Sequence, residues 1–211
     1  NNGNTDADTV AEVEDILSRY LGCEQVIWLE IMPNSGTGHV DMGAKLLTPT
    51  DILVIDFPDG STGNSATADA AAEANVATLS AATNLDGESF TVHRIEVPSL
   101  GTGWSYATYT NSVMLNKVVL VPTYDYSAYD AAALEVYQEI LGDTYTVTGI
   151  DASAIYDLGG AVHCTTMQIA SACGNGTIDS LLFEQCDGDD LGGETCASLG
   201  AGGEGALSCT T

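Results

Sequence analysis

Tyr109-Thr110-Asn111-Ser112-Val113-Met114-Leu115-Asn116-Lys117-Val118-Val119-Leu120-Val121-Pro122, residues 109–122, reads as two apolar runs hinged on one polar dipeptide. Aliphatic and β-branched residues on both sides of a turn-type pair predict a hairpin. We expect strands over Tyr106–Leu115 and Val118–Pro122 with the turn at Asn116-Lys117. Downstream, Ala128–Leu141 predicts a helix and Tyr145–Ile150 another strand. The unit is therefore strand, strand, helix, strand.

The same order stands upstream. His39–Leu47 and Ile52–Phe57 predict strands joined by the turn Thr48-Pro49-Thr50-Asp51. A loop at Ser61–Asn64, an alanine-rich helix over Thr67–Ala82 and a strand over Ser89–Val97 complete the copy. The glycine loop Gly101-Thr102-Gly103 separates the two. A third copy is expected to open at Asp157–Ile169, with a strand over Ala161–Ile169. Ahead of all three, residues 1–9 predict a loop. A helix from Val10 to Leu21 follows, capped by Thr9 and stopped by Gly22, then a strand over Gln25–Glu30. A recurring unit of this size implies a modular array, often closed around an axis. If equivalent openings face that axis, His39, Asp41, Asn111 and Cys164 converge there.

Composition sets limits. The 211 residues carry 4 Lys+Arg against 30 Asp+Glu, a formal net charge of −26. That length suits one core and a small appendage. The acidic balance argues against nucleic acid and anionic membrane surfaces as partners and suits a cationic substrate, with solubility in salty surroundings as the plainer account. No apolar run approaches the roughly 20 residues that span a bilayer, so no membrane span is expected. No leader is visible, and the abrupt ends at Asn1 and Thr211 are expected to be truncations.

The chemistry-bearing stretch is Gly159-Gly160-Ala161-Val162-His163-Cys164-Thr165-Thr166. A thiol near the end of an apolar, glycine-flanked run is core filler or a nucleophile, and both readings stand at this point. On a strand, neighbours point to opposite faces, so His163 would not serve Cys164. A partner must then come from His39 or His93. His39 has Asp41 two residues on, and on a strand the two share a face. The plainer alternatives are an inert thiol at Cys164, a structural histidine at His39, a turn carboxylate at Asp41 and a turn asparagine at Asn111. His93 reads as structural, His163 as a packing residue behind the cysteine strand, Cys23 as a small buried hydrophobe, and Asp56 and Asp59 as loop solvation.

Gly38-His39-Val40-Asp41, Tyr109-Thr110-Asn111-Ser112 and Gly159-Gly160-Ala161-Val162-His163-Cys164 together resemble the signatures of the bacterial, Porphyromonas-type peptidyl-arginine deiminase and agmatine deiminase family. Leu115–Pro122 is similar to that family's second hairpin. The resemblance covers roughly residues 10–170 by these motifs. It implies an α+β chain of pentein-type ββαβ modules from a five-module α/β propeller, here incomplete at about three of five modules. On this resemblance Cys164 is the nucleophile, His39 the general acid/base, Asp41 the carboxylate that grips the guanidinium, and Asn111 and Gly160 substrate-site residues. No cofactor and no metal are implied. The implied substrate is a guanidino compound: peptidyl-arginine, arginine or agmatine. The family's Trp-x-Arg-Asp segment and further carboxylate have no counterpart here, so residues 1–170 are expected to be the C-terminal part of such a domain.

Such chemistry needs carboxylates to orient the planar cation, a thiolate to attack its carbon and a donor for the leaving ammonia. A bound cation would itself favour the thiolate. The covalent adduct would be an S-alkylthiouronium, hydrolysed by water that His39 deprotonates. Peptidyl-arginine deimination is the leading expectation, with agmatine deimination as its alternative. A non-catalytic pentein module for binding or surface display is the alternative from another class. Residues 171–211, with Cys173, Cys186, Cys196 and Cys209, resemble a cysteine-rich repeat of myxobacterial surface and secreted proteins. That resemblance implies a disulfide framework and an extracytoplasmic location. Calcium at Asp187, Asp189 and Asp190 is a lesser expectation, because Leu191 stands where an EF-hand would place an oxygen.

Overall fold

A computed structural model of the protein describes residues 9–33, 38–99, 107–167, 190–193 and 198. The chain divides into two compact units, Asn1–Thr166 and Met167–Thr211. In the first, helix α1 (Val10–Leu21) begins with a capping box. Glu12 N donates to Thr9 Oγ1 at 3.3 Å, and Thr9 N donates back to Glu12 Oε2 at 2.9 Å. Gly22, at φ 68°, closes the helix in the left-handed region.

Two copies of one ββαβ module follow. The first comprises β1 (Ala44–Leu46), β2 (Asp51–Asp56), α2 (Asn64–Ala81) and β3 (Thr91–Glu96). The second comprises β4 (Val113–Leu115), β5 (Val118–Thr123), α3 (Ser127–Leu141) and β6 (Thr146–Asp151). In each, the hairpin pairs antiparallel and the helix returns the chain to a strand parallel to the second. Ala44 faces Val54 and Asp51 faces Thr91; Val113 faces Leu120 and Val118 faces Thr146. The sheet orders are β1-β2-β3 and β4-β5-β6. The middle strand is covered on both faces, which is why it reads as a continuous apolar run. Leu53, Val54, Ile55, Val119 and Val121 are fully buried. Ala68 and Ala72 on α2 and Ala133 on α3 let the helices lie close upon their sheets.

The hairpin turns differ. Asn116 and Lys117 both take positive φ, 48° and 66°, as a tight two-residue turn of the primed type requires. In the other module Thr48 Oγ1 accepts from Thr50 N at 3.2 Å and Asp51 N at 2.9 Å, a side-chain turn of four residues.

Several expected strands are not strands. Gln25–Glu30 has no ladder: Glu30 N and O are taken by the Asn75 side chain of α2 at 2.6 and 3.0 Å, and Gln25 reaches Thr83 O. Of His39–Leu47 only Ala44–Leu46 is β. Val40–Met42 is a 3-10 turn closed by Gly43 N on Val40 O at 2.9 Å. His39 and Asp41 therefore do not share a strand face. Of the strand expected over Tyr106–Leu115, only Val113–Leu115 pairs among the described residues; before it, Thr108 Oγ1 accepts from Thr110 N at 3.3 Å, a local bond that competes with a ladder. The Ala161–Ile169 segment turns as a 3-10 helix at His163–Thr165, and no strand of a third module lies among the described residues there.

In the second unit, Gly192 N donates to Asp190 Oδ1 at 3.0 Å in a tight turn. Cys173, Cys186, Cys196, Cys209, Asp187 and Asp189 lie outside the described residues. Cys23 and Cys164 are free thiols, Cys23 only half-buried and Cys164 exposed. Among the described residues no helix is long and apolar enough to cross a membrane.

Candidate active site

The openings of the two modules and the 3-10 turn at His163–Thr165 meet on one residue. Asn111 is fully buried. Its Oδ1 accepts from the backbone N–H of Ala161 (3.0 Å), His163 (3.1 Å) and Cys164 (3.4 Å). Those three donors fix which end of the amide is oxygen. Its Nδ2 is then the donor, to Asp41 Oδ2 at 2.7 Å and to Cys164 Sγ at 3.2 Å. One asparagine thus ties the carboxylate of the first opening to the thiol of the third. It is neither a surface turn residue nor part of the cavity lining.

Further bonds hold the first two openings together. Thr110 Oγ1 donates to Asp41 O at 2.9 Å, and Lys45 Nζ donates to Ser112 O at 2.6 Å. Burial pulls the Lys45 ammonium below the usual lysine range, while the charge of Asp41 pulls it back. Behind them, Tyr137 Oη donates to Tyr109 O and accepts from Ser112 Oγ, both at 2.8 Å, and Tyr124 Oη donates to Thr108 O at 2.7 Å. Burial is the main cause that pushes the phenols of Tyr109, Tyr124 and Tyr137 well above the ordinary tyrosine range, so they stay donors.

The reactive atoms of His39, Asp41 and Cys164 all lie within 4.8 Å of one another. They line an open cavity of about 460 Å³ with Val40, His163 and Thr166. His39 caps the 3-10 turn Val40–Met42 in extended conformation, Asp41 sits buried inside that turn, and Cys164 sits in the 3-10 turn His163–Thr165. Asp41 Oδ1 is buried and, among the described residues, has no hydrogen-bond partner. A buried carboxylate oxygen without a donor is costly unless something else supplies one. Gly160 serves the thiol: a Cβ there would stand 2.4 Å from Cys164 Cβ and 2.6 Å from Sγ. The glycine is the space in which the cysteine side chain lies.

The sequence reading missed His163. Its ring is half-exposed, and its Nδ1 lies 2.5 Å from Asp41 Oδ2. The packing role rested on strand parity, and a 3-10 turn places neighbours on adjoining faces instead. Gly159, at φ 98°, and Gly160 were the available signal for a turn there. Elsewhere, His93 Nε2 pairs with Asp51 Oδ1 at 2.7 Å across the β2–β3 ladder. Asp56 is no loop residue: it ends β2 and accepts from Arg94 at 2.7 Å. The oxygens of Asp56, Asp69 and Glu73 lie within 4.8 Å of one another, close enough for a metal ion, as are the His39, Asp41 and Cys164 atoms. Arg94 already answers the first set by pairing with Asp56 and Glu73.

The family model for Porphyromonas-type peptidyl-arginine deiminase matches residues 1–170. A Legionella pneumophila protein assigned as an agmatine deiminase is 29% identical over 162 residues, 74% of this chain and 45% of its own length. A solved structure assigned as an arginine deiminase from Porphyromonas gingivalis superposes with a TM-score of 0.63 at 29% identity, covering 76% of this chain and 48% of that one. The structure of the Enterococcus faecalis agmatine deiminase gives a TM-score of 0.63 at 25% identity, with 74% and 47% covered. The chain spans about half the length of the curated relatives it matches.

Proposed function

The chain belongs to the Porphyromonas-type peptidyl-arginine deiminase family, and from that premise we propose that it carries the reacting half of a guanidine-hydrolysing site. The observation that carries this reading is the meeting of His39, Asp41 and Cys164 on one open cavity, with Asp41 Oδ1 unpartnered. A guanidinium nitrogen would supply the donor that Oδ1 lacks and bring the planar carbon toward Sγ. The Cys164 thiolate attacks that carbon, and the C–N bond to one terminal nitrogen breaks. That nitrogen leaves as ammonia with a proton from His39, and the carbon stays on sulfur as an S-alkylthiouronium. Water, giving its proton to His39, then attacks the same carbon. The C–S bond breaks, and ureido product and thiolate are released.

The substrate we favour is peptidyl-arginine, on the description of the family and on the exposure of Cys164. Agmatine is the second reading, favoured by the agmatine deiminases among the relatives. Asn111 and Gly160 act behind the substrate in this scheme, holding the nucleophile. We also read the two modules and the third opening as about three of the five modules of a pentein ring, and the tail cysteines as a disulfide framework of an exported protein. In the full-length protein, ureido product and ammonia are expected from arginine-containing peptides or from agmatine, and Cys164→Ser is expected to abolish both. Turnover retained in Cys164→Ser would overturn the mechanism.

A further inference from the structure

His163 takes no part in attack or proton transfer in the scheme above, yet it is built into the site. Its peptide N–H is bound by Asn111 twice, at Oδ1 and at the backbone oxygen, each at 3.1 Å. Its half-exposed ring turns back onto Asp41 Oδ2 at 2.5 Å. A carboxylate accepts only, so the ring's Nδ1 carries the proton of this bond. Oδ2 thus receives two close donors, Asn111 Nδ2 at 2.7 Å and His163 Nδ1, with the Cys164 thiol farther off at 3.8 Å. Oδ1 receives none.

That asymmetry has a geometric consequence. The lone pairs of a carboxylate oxygen lie near the plane of the group. One donor leaves the carboxylate free to swing about its Cβ–Cγ bond, whereas two donors on the same oxygen define the plane. A carboxylate whose plane is held recognises a planar cation better than one that swings. Asn111 cannot do this alone, because it offers Oδ2 a single N–H, its other amide hydrogen being directed at the Cys164 sulfur.

We propose that His163 is a positioning residue whose Nδ1–H fixes the plane of Asp41, leaving Oδ1 as the acceptor for a planar amidinium or guanidinium cation. The inference rests on the reading of Asp41 as the cation grip.

Two thiol reagents of one size separate recognition from reactivity: 2-chloroacetamidine, a planar cation, and neutral 2-chloroacetamide. Each alkylates the full-length protein while the adduct on the Cys164 peptide is followed by mass spectrometry. Wild type is expected to react faster with the cation. His163→Ala should lower that preference at least about tenfold, the weight of one charge-assisted hydrogen bond, with the chloroacetamide rate unchanged. His163→Asn places an amide N–H where Nδ1 stands and should restore the preference. With a guanidino substrate, His163→Ala should raise KM more than it lowers kcat. The proposal is overturned if His163→Ala keeps the wild-type preference, if wild type has none, or if both reagents slow alike in both variants. Absence of ureido product from wild type would sink the deiminase reading alone, since the labelling ratio needs no turnover.

Discussion

The two ββαβ modules share topology and register but not the character of their openings. The first opening is charged and faces outward: His39 and Val40 are exposed, and Asp41 is buried beside them. The second is neutral and sealed. Thr108, Tyr109, Thr110, Asn111 and Ser112 are all fully buried, held from α3 by Tyr137 and from the end of β5 by Tyr124. In the first module the inner face of α2 offers Asn75, which grips Glu30 of an earlier segment and leaves its own opening alone. One copy has become a scaffold and the other an instrument. Repeated architecture thus lets rigidity and chemistry be assigned to different copies, so that reactive groups project from a part that need not itself be tightly packed.

The largest effect should separate the two asparagines. Asn111→Ala removes the acceptor of three backbone N–H groups and a donor to a buried carboxylate. Unsatisfied buried groups cost about 1–3 kcal/mol each, so we expect a loss of about 3 kcal/mol or more and no ureido product. Asn75→Ala also removes two bonds, but their partner Glu30 is exposed and water can replace the amide. Its cost should be about 1 kcal/mol. Chemical denaturation of the two variants measures both. Equal losses would mean the modules carry the same load.

Gly160→Ala should come next and act on the third opening, which leans on the second. The new methyl would overlap Cys164 Cβ and Sγ, and the seat is bounded by the Asn111 bonds, so the sulfur must shift. A displacement near 1 Å costs on the order of a hundredfold in rate, while the Tm should move little because the side chain that is displaced, Cys164, is exposed. Unchanged turnover would show that the thiol is not seated where the substrate meets it.

How much of this was legible in the sequence follows from the same contrast. The module cores were legible, because β2, β5 and the two crossover helices are fixed by local pattern and lie within a few residues of expectation. The convergence of His39, Asp41, Asn111 and Cys164 followed from the repeat alone. The openings were not legible as turns. Val40–Met42 and Thr108–Ser112 carry β-type residues, and what bends them is tertiary: Thr110 on Asp41, Tyr137 on Ser112, and a Gly43 against which Met32 packs so closely that a Cβ would meet its Cγ at 2.6 Å. His163 was misread because parity arguments hold only on strands.

The smallest effect concerns acid. At the start of β2 stands Asp51, whose register counterpart in β5 is Val118; where β3 carries His93, β6 carries Thr148. Only the first module therefore has a titrating pair across its parallel ladder. The Thr48 hydroxyl first, and His93 next, hold the Asp51 carboxyl below the usual carboxylate range. A depressed folded-state pKa means that the stabilisation is fully present above the unfolded value of about 3.9 and is lost as pH falls through the folded one. Asp51 is partly exposed to solvent, which screens the pair, so the contribution is small and its position matters more than its size. Amide exchange on the β1–β2 hairpin should accelerate below about pH 4 before exchange on β4–β5 does. Asp51→Asn keeps an acceptor for Thr48 but cannot titrate, and it should remove that difference between the modules. If both hairpins loosen together in wild type, the pair does not distinguish them, and acid must act on something they share.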